Sequence, residues 1–223
     1  AVPSWLTALT DPTGVDREAA ALTEAFTQAV AALPPDQRPD LYLNGESLGA
    51  LGSQEVFVDR RPEQVVEQLD GVLWVGTPAT SDLISQWASF PEGTPAWEPV
   101  VGDGTIARFA ASAERVELTE PAWGPRRILF MHSATDPVAY LEGSLWRTRP
   151  EGIGQSRFDS IPERMVWWPL FTWEQMLIDF TTNGIVPPGF GHNYSNSHAT
   201  GWAAVLHPDG WDAATVARLD AYR

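Results

Sequence analysis

The chain of 223 residues contains no cysteine and no lysine. Without cysteine it can form no disulfide, no thiolate nucleophile and no cysteine-ligated metal centre. Without lysine it has no P-loop, no Schiff-base amine and no Ser-Lys dyad. All fourteen basic residues are arginine, against twenty-nine acidic ones, for a net charge of -15 and a pI near 4.5. A phosphate backbone would be repelled, so no nucleic-acid partner is expected. No apolar run approaches the roughly 20 residues of a membrane helix. No signal peptide is visible and the chain starts at Ala1, so it is read as a processed or excised piece of something longer. The lack of cysteine suits an extracytoplasmic protein without establishing one. Histidine pairs at His-x-x-x-His or His-Glu-x-x-His spacing are absent, as is a Gly-x-Gly-x-x-Gly after a strand. No metal and no cofactor is therefore expected.

What is present is globular. The chain is 43% hydrophobic and 11% aromatic, enough for one full core, and no repeat or linker divides it. Residues 1–223 are read as one domain. Apolar residues near the helical period predict an amphipathic helix over 16–33, stopped by Pro34-Pro35. Asp40-Leu41-Tyr42-Leu43-Asn44 predicts a strand, followed by a helix to about Phe57 and another over 62–68. Gly71-Val72-Leu73-Trp74-Val75-Gly76 and Arg127-Ile128-Leu129-Phe130-Met131-His132 are short apolar runs bounded by turn residues, as buried parallel strands are. A short helix is expected over 81–88, a surface excursion over 90–104, and a strand with its turn over 106–110 and 115–118. Residues 146–164 look irregular. A helix is expected over 169–182 with Leu170, Trp173, Leu177 and Phe180 on one side. Then come a loop over 184–197, one short element over 202–206 and a helix over 212–222. No convincing strand falls between Asp136 and His192.

Gly45-Glu46-Ser47-Leu48-Gly49 lies between the first strand and the small-residue segment that opens its helix. Strand, sharp turn and helix are the context of a G-x-S-x-G nucleophile elbow, in which the glycines let the backbone turn tightly around an exposed serine. The N–H of Leu48, at the helix start, is placed to help hold an oxyanion. A nucleophilic serine needs a base, and the base an orienting acid. Asp136 directly follows the strand ending at His132, and His192 sits in the glycine-rich loop Gly189-Phe190-Gly191-His192. Each also has a plainer reading: Asp136 before Pro137 as a turn opener, His192 as a loop histidine bonded to backbone. His198 is the rival base. His132 reads as a buried strand residue that could also lie beneath the site, and His207 as a surface turn. Asp179 is the rival acid, more simply a solvated helix charge, and Asp82 belongs near a helix start. Trp146, Trp167, Trp168 and Trp173 cluster between Asp136 and His192. They are either core packing or the wall of an apolar pocket, the second favouring an acyl or aromatic substrate.

The elbow, the stretch His132-Ser133-Ala134-Thr135-Asp136-Pro137-Val138 and Gly191-His192-Asn193-Tyr194 resemble an actinobacterial α/β-hydrolase family. Trp167-Trp168-Pro169 and residues 172–179 share the likeness, which spans about 4–201. The arginine-only composition also suits a GC-rich genome. Members look like membrane proteins with several transmembrane helices ahead of a hydrolase domain. The resemblance implies an α/β fold with a mostly parallel sheet flanked by helices. It implies a serine esterase, thioesterase or acyltransferase at the cell membrane, its hydrolase domain extracytoplasmic. Ser47 maps to the nucleophile, Asp136 to the acid and His192 to the base. The implied partners are a small-molecule acyl ester or lipid substrate and a membrane domain or upstream segment of the same protein. The family's domain begins upstream of Ala1, so the sheet is expected to lack its first strands and the loop donating a second oxyanion N–H. The alternative is an inactive binding or scaffolding module of a membrane complex.

Overall fold

The structure is a computed structural model, and it describes residues 12–116, 122–149, 166–183 and 185–220. Four strands make its sheet: β1 (Tyr42–Glu46), β2 (Gly71–Val75), β5 (Ala107–Ala110) and β6 (Arg127–Met131). They are ordered β1-β2-β6-β5 and all pair in parallel. This is the expected α/β architecture. Every residue of β2 is buried, as a central strand covered on both faces must be.

The period of two sorts β2 and β6 between two cores. Val72, Trp74, Ile128 and Phe130 face one side with Ala50, Phe57, Val65, Leu69 and Leu83. Leu73, Val75, Leu129 and Met131 face the other, with Tyr194, Ala204 and Val205. The first side carries α2 (Leu48–Gln54), α3 (Pro62–Val66) and α4 (Asp82–Trp87). Across it, Trp74 stacks tilted on Phe130 at 5.0 Å and donates its indole N–H to Ser53 Oγ at 2.9 Å. A further helix, α1 (Pro12–Ala31), packs on α2. The opposite side carries α8 (His198–Leu206). Its small residues allow close approach: a Cβ on Gly201 would stand 2.6 Å from Met131 Sδ and 3.1 Å from Leu73.

Several expectations need correction. The first helix starts at Pro12, ahead of 16, with proline in its first turn, where its missing N–H costs no bond. The expected excursion over 90–104 folds back on the core, with β3 (Ala88–Ser89) antiparallel to β4 (Val100–Val101) and Trp97 buried. The strand expected over 106–110 is β5, and the turn expected over 115–118 begins earlier, as the helical turn α5 (Ala113–Val116), where Val116 O accepts from the Arg108 guanidinium at 3.3 Å. Residues 117–118 of that expectation lie outside the described residues, as do 150–164 of the irregular stretch. The element expected over 202–206 begins at His198 and is helical. The helix over 169–182 is α7 (Phe171–Thr182), and it buries no side chain: of the four residues expected on one side, Leu170 and Leu177 are 49% and 37% exposed, and Trp173 and Phe180 are half-buried. Among the tryptophans of that region, Trp146 and Trp168 are exposed, so core packing does not account for them. The last helix, α9, spans Ala213–Asp220. No strand is described between Asp136 and His192. The edge beyond β6 is taken by β5, from earlier in the chain.

Candidate active site

All four strands are parallel, so their carboxyl ends share one side of the molecule, where open α/β sheets hold their ligands. The residues just past those ends are tied in a row. Ser47 donates its N–H to Val75 O at 2.9 Å, Gly76 to Met131 O at 2.9 Å, and His132 to Ala110 O at 3.1 Å.

Ser47 is the first residue after β1 and the N-cap of α2, with φ 54° and ψ -122°. A non-glycine residue there carries backbone strain of about 1–3 kcal/mol, which surrounding contacts must hold in place. The hold is a tight reversal. A Cβ on Gly45 would lie 2.6 Å from the Ala50 Cα, so strand and helix touch backbone to backbone. Leu51 N–H also returns to Ser47 O at 3.0 Å, and Gln54 anchors the far end of α2 to Thr77 at 2.9 Å. Leu48 opens the helix, where N–H groups have no partner within the helix.

Asp136 is fully buried and divides its two oxygens between two tasks. Oδ1 accepts the Val138 N–H at 2.8 Å, capping α6 (Pro137–Tyr140). The turn-opening reading is thus correct, and it leaves Oδ2 free for chemistry. Oδ2 receives His192 Nδ1 at 2.8 Å and the Tyr194 hydroxyl at 2.7 Å. The His192 loop is held from outside: Gly191 N–H donates to Thr135 Oγ1 at 2.9 Å and His192 N–H to Asn183 O at 3.3 Å. The Nε2 atom of His192 is buried and makes no hydrogen bond.

The imidazole rests on Gly76. A Cβ there would stand 2.7 Å from His192 Cε1, 3.0 Å from Nδ1 and 2.6 Å from Tyr194 Cε2. Gly76 also has φ +57°, so both space and conformation demand glycine. Because Gly76 follows β2 and Ser47 follows the paired β1, the imidazole rests on backbone one strand over from the serine's, and neighbouring strands run about 4.8 Å apart. Gly76→Ala is expected to lose about 2–4 kcal/mol of stability from strain and overpacking. Displacing the imidazole should cost about 10²-fold in turnover. Denaturant midpoints and initial rates on one variant check both.

Electrostatics follow the contacts. Burial alone pushes the His192 pKa down, but the hydrogen bond and charge of Asp136, with the charge of Glu46 adding, outweigh it and leave it raised. Tyr194 and Tyr140 are held well above the ordinary tyrosine range, burial first and the Asp136 charge second. Glu46 is lowered, chiefly by its bond to His198.

His132 is buried and its Nε2 is unpaired. Burial, with the charge of His192 adding, lowers its pKa to about 3. With the folded pKa below the unfolded one, the unfolded chain takes the proton first. Stability therefore falls as pH drops from about 6.5 toward 3, by about 1.4 kcal/mol per pH unit and about 2 kcal/mol by pH 5. His132→Phe, beside the rings of Phe109 and Phe130, should flatten that acid limb in urea titrations at pH 7 and pH 5.

The remaining candidates fall elsewhere. His198 Nε2 is taken by Glu46 Oε2 at 3.0 Å. His207 ends α8 in a left-handed conformation at the surface. Asp179 is exposed on α7 and accepts from Gln175 at 2.9 Å. Asp82 lies in the first turn of α4, capped by Ser81. Among the described residues no three His, Asp or Glu side chains are grouped to hold a metal. Sequence reasoning passed over Tyr194 and Gly76. The only signals were a tyrosine two residues past His192 and a glycine ending an apolar run.

A parallel sheet with a strained serine at the first strand-to-helix turn, and a carboxylate–imidazole pair on loops at the same strand ends, belongs to the class of α/β-hydrolase folds. A family model described as the alpha/beta-hydrolase family matches residues 1–219, and the chain belongs to that family. No curated protein and no solved structure matches it.

Proposed function

We propose that the protein is a serine hydrolase acting on an acyl ester, or an acyltransferase, through an acyl-enzyme. The observation that carries this is the His192 imidazole, bonded through Nδ1 to Asp136 and leaving a buried, unpaired Nε2 one strand from Ser47. Ser47 Oγ attacks the carbonyl carbon while its proton passes to His192 Nε2. The Leu48 N–H donates to the developing oxyanion. The proton then goes to the leaving alkoxide or thiolate as the C–O or C–S bond breaks. Water or an acceptor alcohol next attacks the acyl-serine by the same proton route in reverse. Asp136 holds the imidazole in the tautomer with its proton on Nδ1.

Trp146 and Trp168 are exposed, and we read them as an apolar surface for an acyl or other apolar substrate. The resemblance supports placing the domain at the cell envelope, outside the cytoplasm, with a membrane domain or upstream segment of the same protein as partner. No helix among the described residues is long and apolar enough to cross a membrane. One observation favours the alternative of an inactive binding module: His192 Nε2 makes no hydrogen bond to Ser47. Such bonds are often long in unliganded enzymes and tighten only with substrate. Fluorophosphonate labelling read by intact mass separates the two. One adduct on the chain and none on Ser47→Ala supports the hydrolase. No adduct, on this chain or on any longer form of the protein, supports the binding module.

A further inference from the structure

Tyr194 is buried, and its hydroxyl ties its own loop to the turn that follows β6. It donates to Asp136 Oδ2 at 2.7 Å and accepts the Ser133 N–H at 2.8 Å. Its ring meets that of His192 edge-on at 5.7 Å and packs against Gly76. The phenol and the imidazole share one carboxylate oxygen, while the other is committed to the Val138 N–H. A phenol in this position is more than packing. Its O–H takes up part of the charge on the oxygen that His192 faces, and the Ser133 N–H polarises it further toward donation.

We propose that Tyr194 is a positioning residue of the site: its hydroxyl fixes Asp136 Oδ2 against His192 Nδ1 and limits how strongly the carboxylate holds the imidazole proton. This rests on the reading of Ser47, His192 and Asp136 as a working triad. The physical consequence has a definite sign. With the hydroxyl gone, Oδ2 presents its full charge to the imidazole and the protonated ring is favoured. If the tyrosine merely packed, removing its oxygen would loosen the loop and weaken the Asp136 bond that raises the imidazole, bringing its midpoint down toward the ordinary histidine value. The charged and titratable groups around His192 are Asp136 and His132 after β6, Glu46 at the end of β1, and Tyr194 on its own loop. Tyr140 on α6 acts on Asp136 and Tyr194, with Glu98 behind it. His198 neutralises Glu46 from α8. Changing the phenol replaces none of these groups except Tyr194 itself, and of the rest the hydroxyl bonds only the Asp136 oxygen that His192 faces.

The test is an NMR titration of the four histidines in the full chain, with His192 assigned from His192→Asn. Tyr194→Phe should move the His192 midpoint up by about one pH unit. It should also lower kcat on a p-nitrophenyl ester about tenfold, with KM unchanged. Because Tyr194→Phe strands the buried Ser133 N–H and can lose stability, 3-fluorotyrosine at position 194 provides the second variant. It keeps the ring and donates more strongly, so it should move the midpoint down. Opposite shifts in the two variants support the proposal. No shift, or a downward shift in Tyr194→Phe, overturns it. The titration needs no substrate, so it fails separately from the hydrolase reading. Labelling of Ser47 without opposite shifts overturns only the role of Tyr194. Opposite shifts without labelling leave the hydrogen-bond coupling standing and overturn the reaction it was assigned to.

Discussion

Ser47→Ala is expected to lower turnover of a p-nitrophenyl ester by about 10⁴–10⁶-fold with little change in fold or stability. The size follows from what the serine supplies. In the proposed reaction its Oγ is the atom that becomes acylated, and no cysteine or lysine exists to replace it. What remains after its removal is binding and oxyanion stabilisation alone. The fold should survive because the strained turn is set by backbone contacts. Those contacts are the Ser47 N–H to Val75 O, the Leu51 N–H to Ser47 O, and the close approach of Gly45 to Ala50. Alanine keeps all of them. Circular dichroism and thermal melts alongside the rates check the second half. A loss of less than tenfold in turnover would remove Ser47 from the chemistry.

Asp136→Asn should cost about 10⁴-fold while leaving the loop largely intact. Asparagine keeps an oxygen that can cap Val138, so α6 still has its first bond. The other terminal atom becomes an N–H₂ facing His192 Nδ1 and the Tyr194 hydroxyl, and donor then meets donor. The imidazole must turn over or carry its proton on Nε2, which can no longer accept from Ser47. His192 also loses the interactions that raise its pKa, leaving burial to push it down. The loss should therefore persist at every pH from 5 to 9, because the tautomer is wrong and protonation is not the limit. His198→Asn is the control. That imidazole is engaged by Glu46 on the outside of β1, and removing it should change turnover by less than about tenfold. Initial rates over that pH range for both variants decide between the two histidines. Recovery of Asp136→Asn at high pH would show that the acid does not set the tautomer.

The elements that were legible share a physical property: their pattern is local. β2 and β6 are short apolar runs closed by turn residues, and a chain buried on both faces has no other composition open to it. The elbow was legible because tight reversal needs glycine at fixed spacing. Where burial depends on a distant surface, local pattern misleads. The apolar side of α7 looks fit for a core, yet none of it is fully buried: α6 packs against the helix, Trp173 and Phe180 are half-buried, and Leu177 stays exposed. The segment opening α8, residues 198–201, falls between the loop expected over 184–197 and the element expected over 202–206. Within it, Gly201 lies so close to Leu73 and Met131 that a side chain would collide with them.

By itself the sequence determined the residue types that could do chemistry, the strand ends that carry them, and their order along the chain. Composition and short-range spacing set these, and they need no folding to be read. Only the tertiary structure decided that His192, and not His198, meets Asp136 across 56 positions of chain. It also decided that Tyr194 closes on the same oxygen from 58 positions away. Gly76 became the floor of the site in the same way. Such contacts are products of strand order and loop docking, in which each side chain's partner is set by where other segments pack. No local preference encodes them.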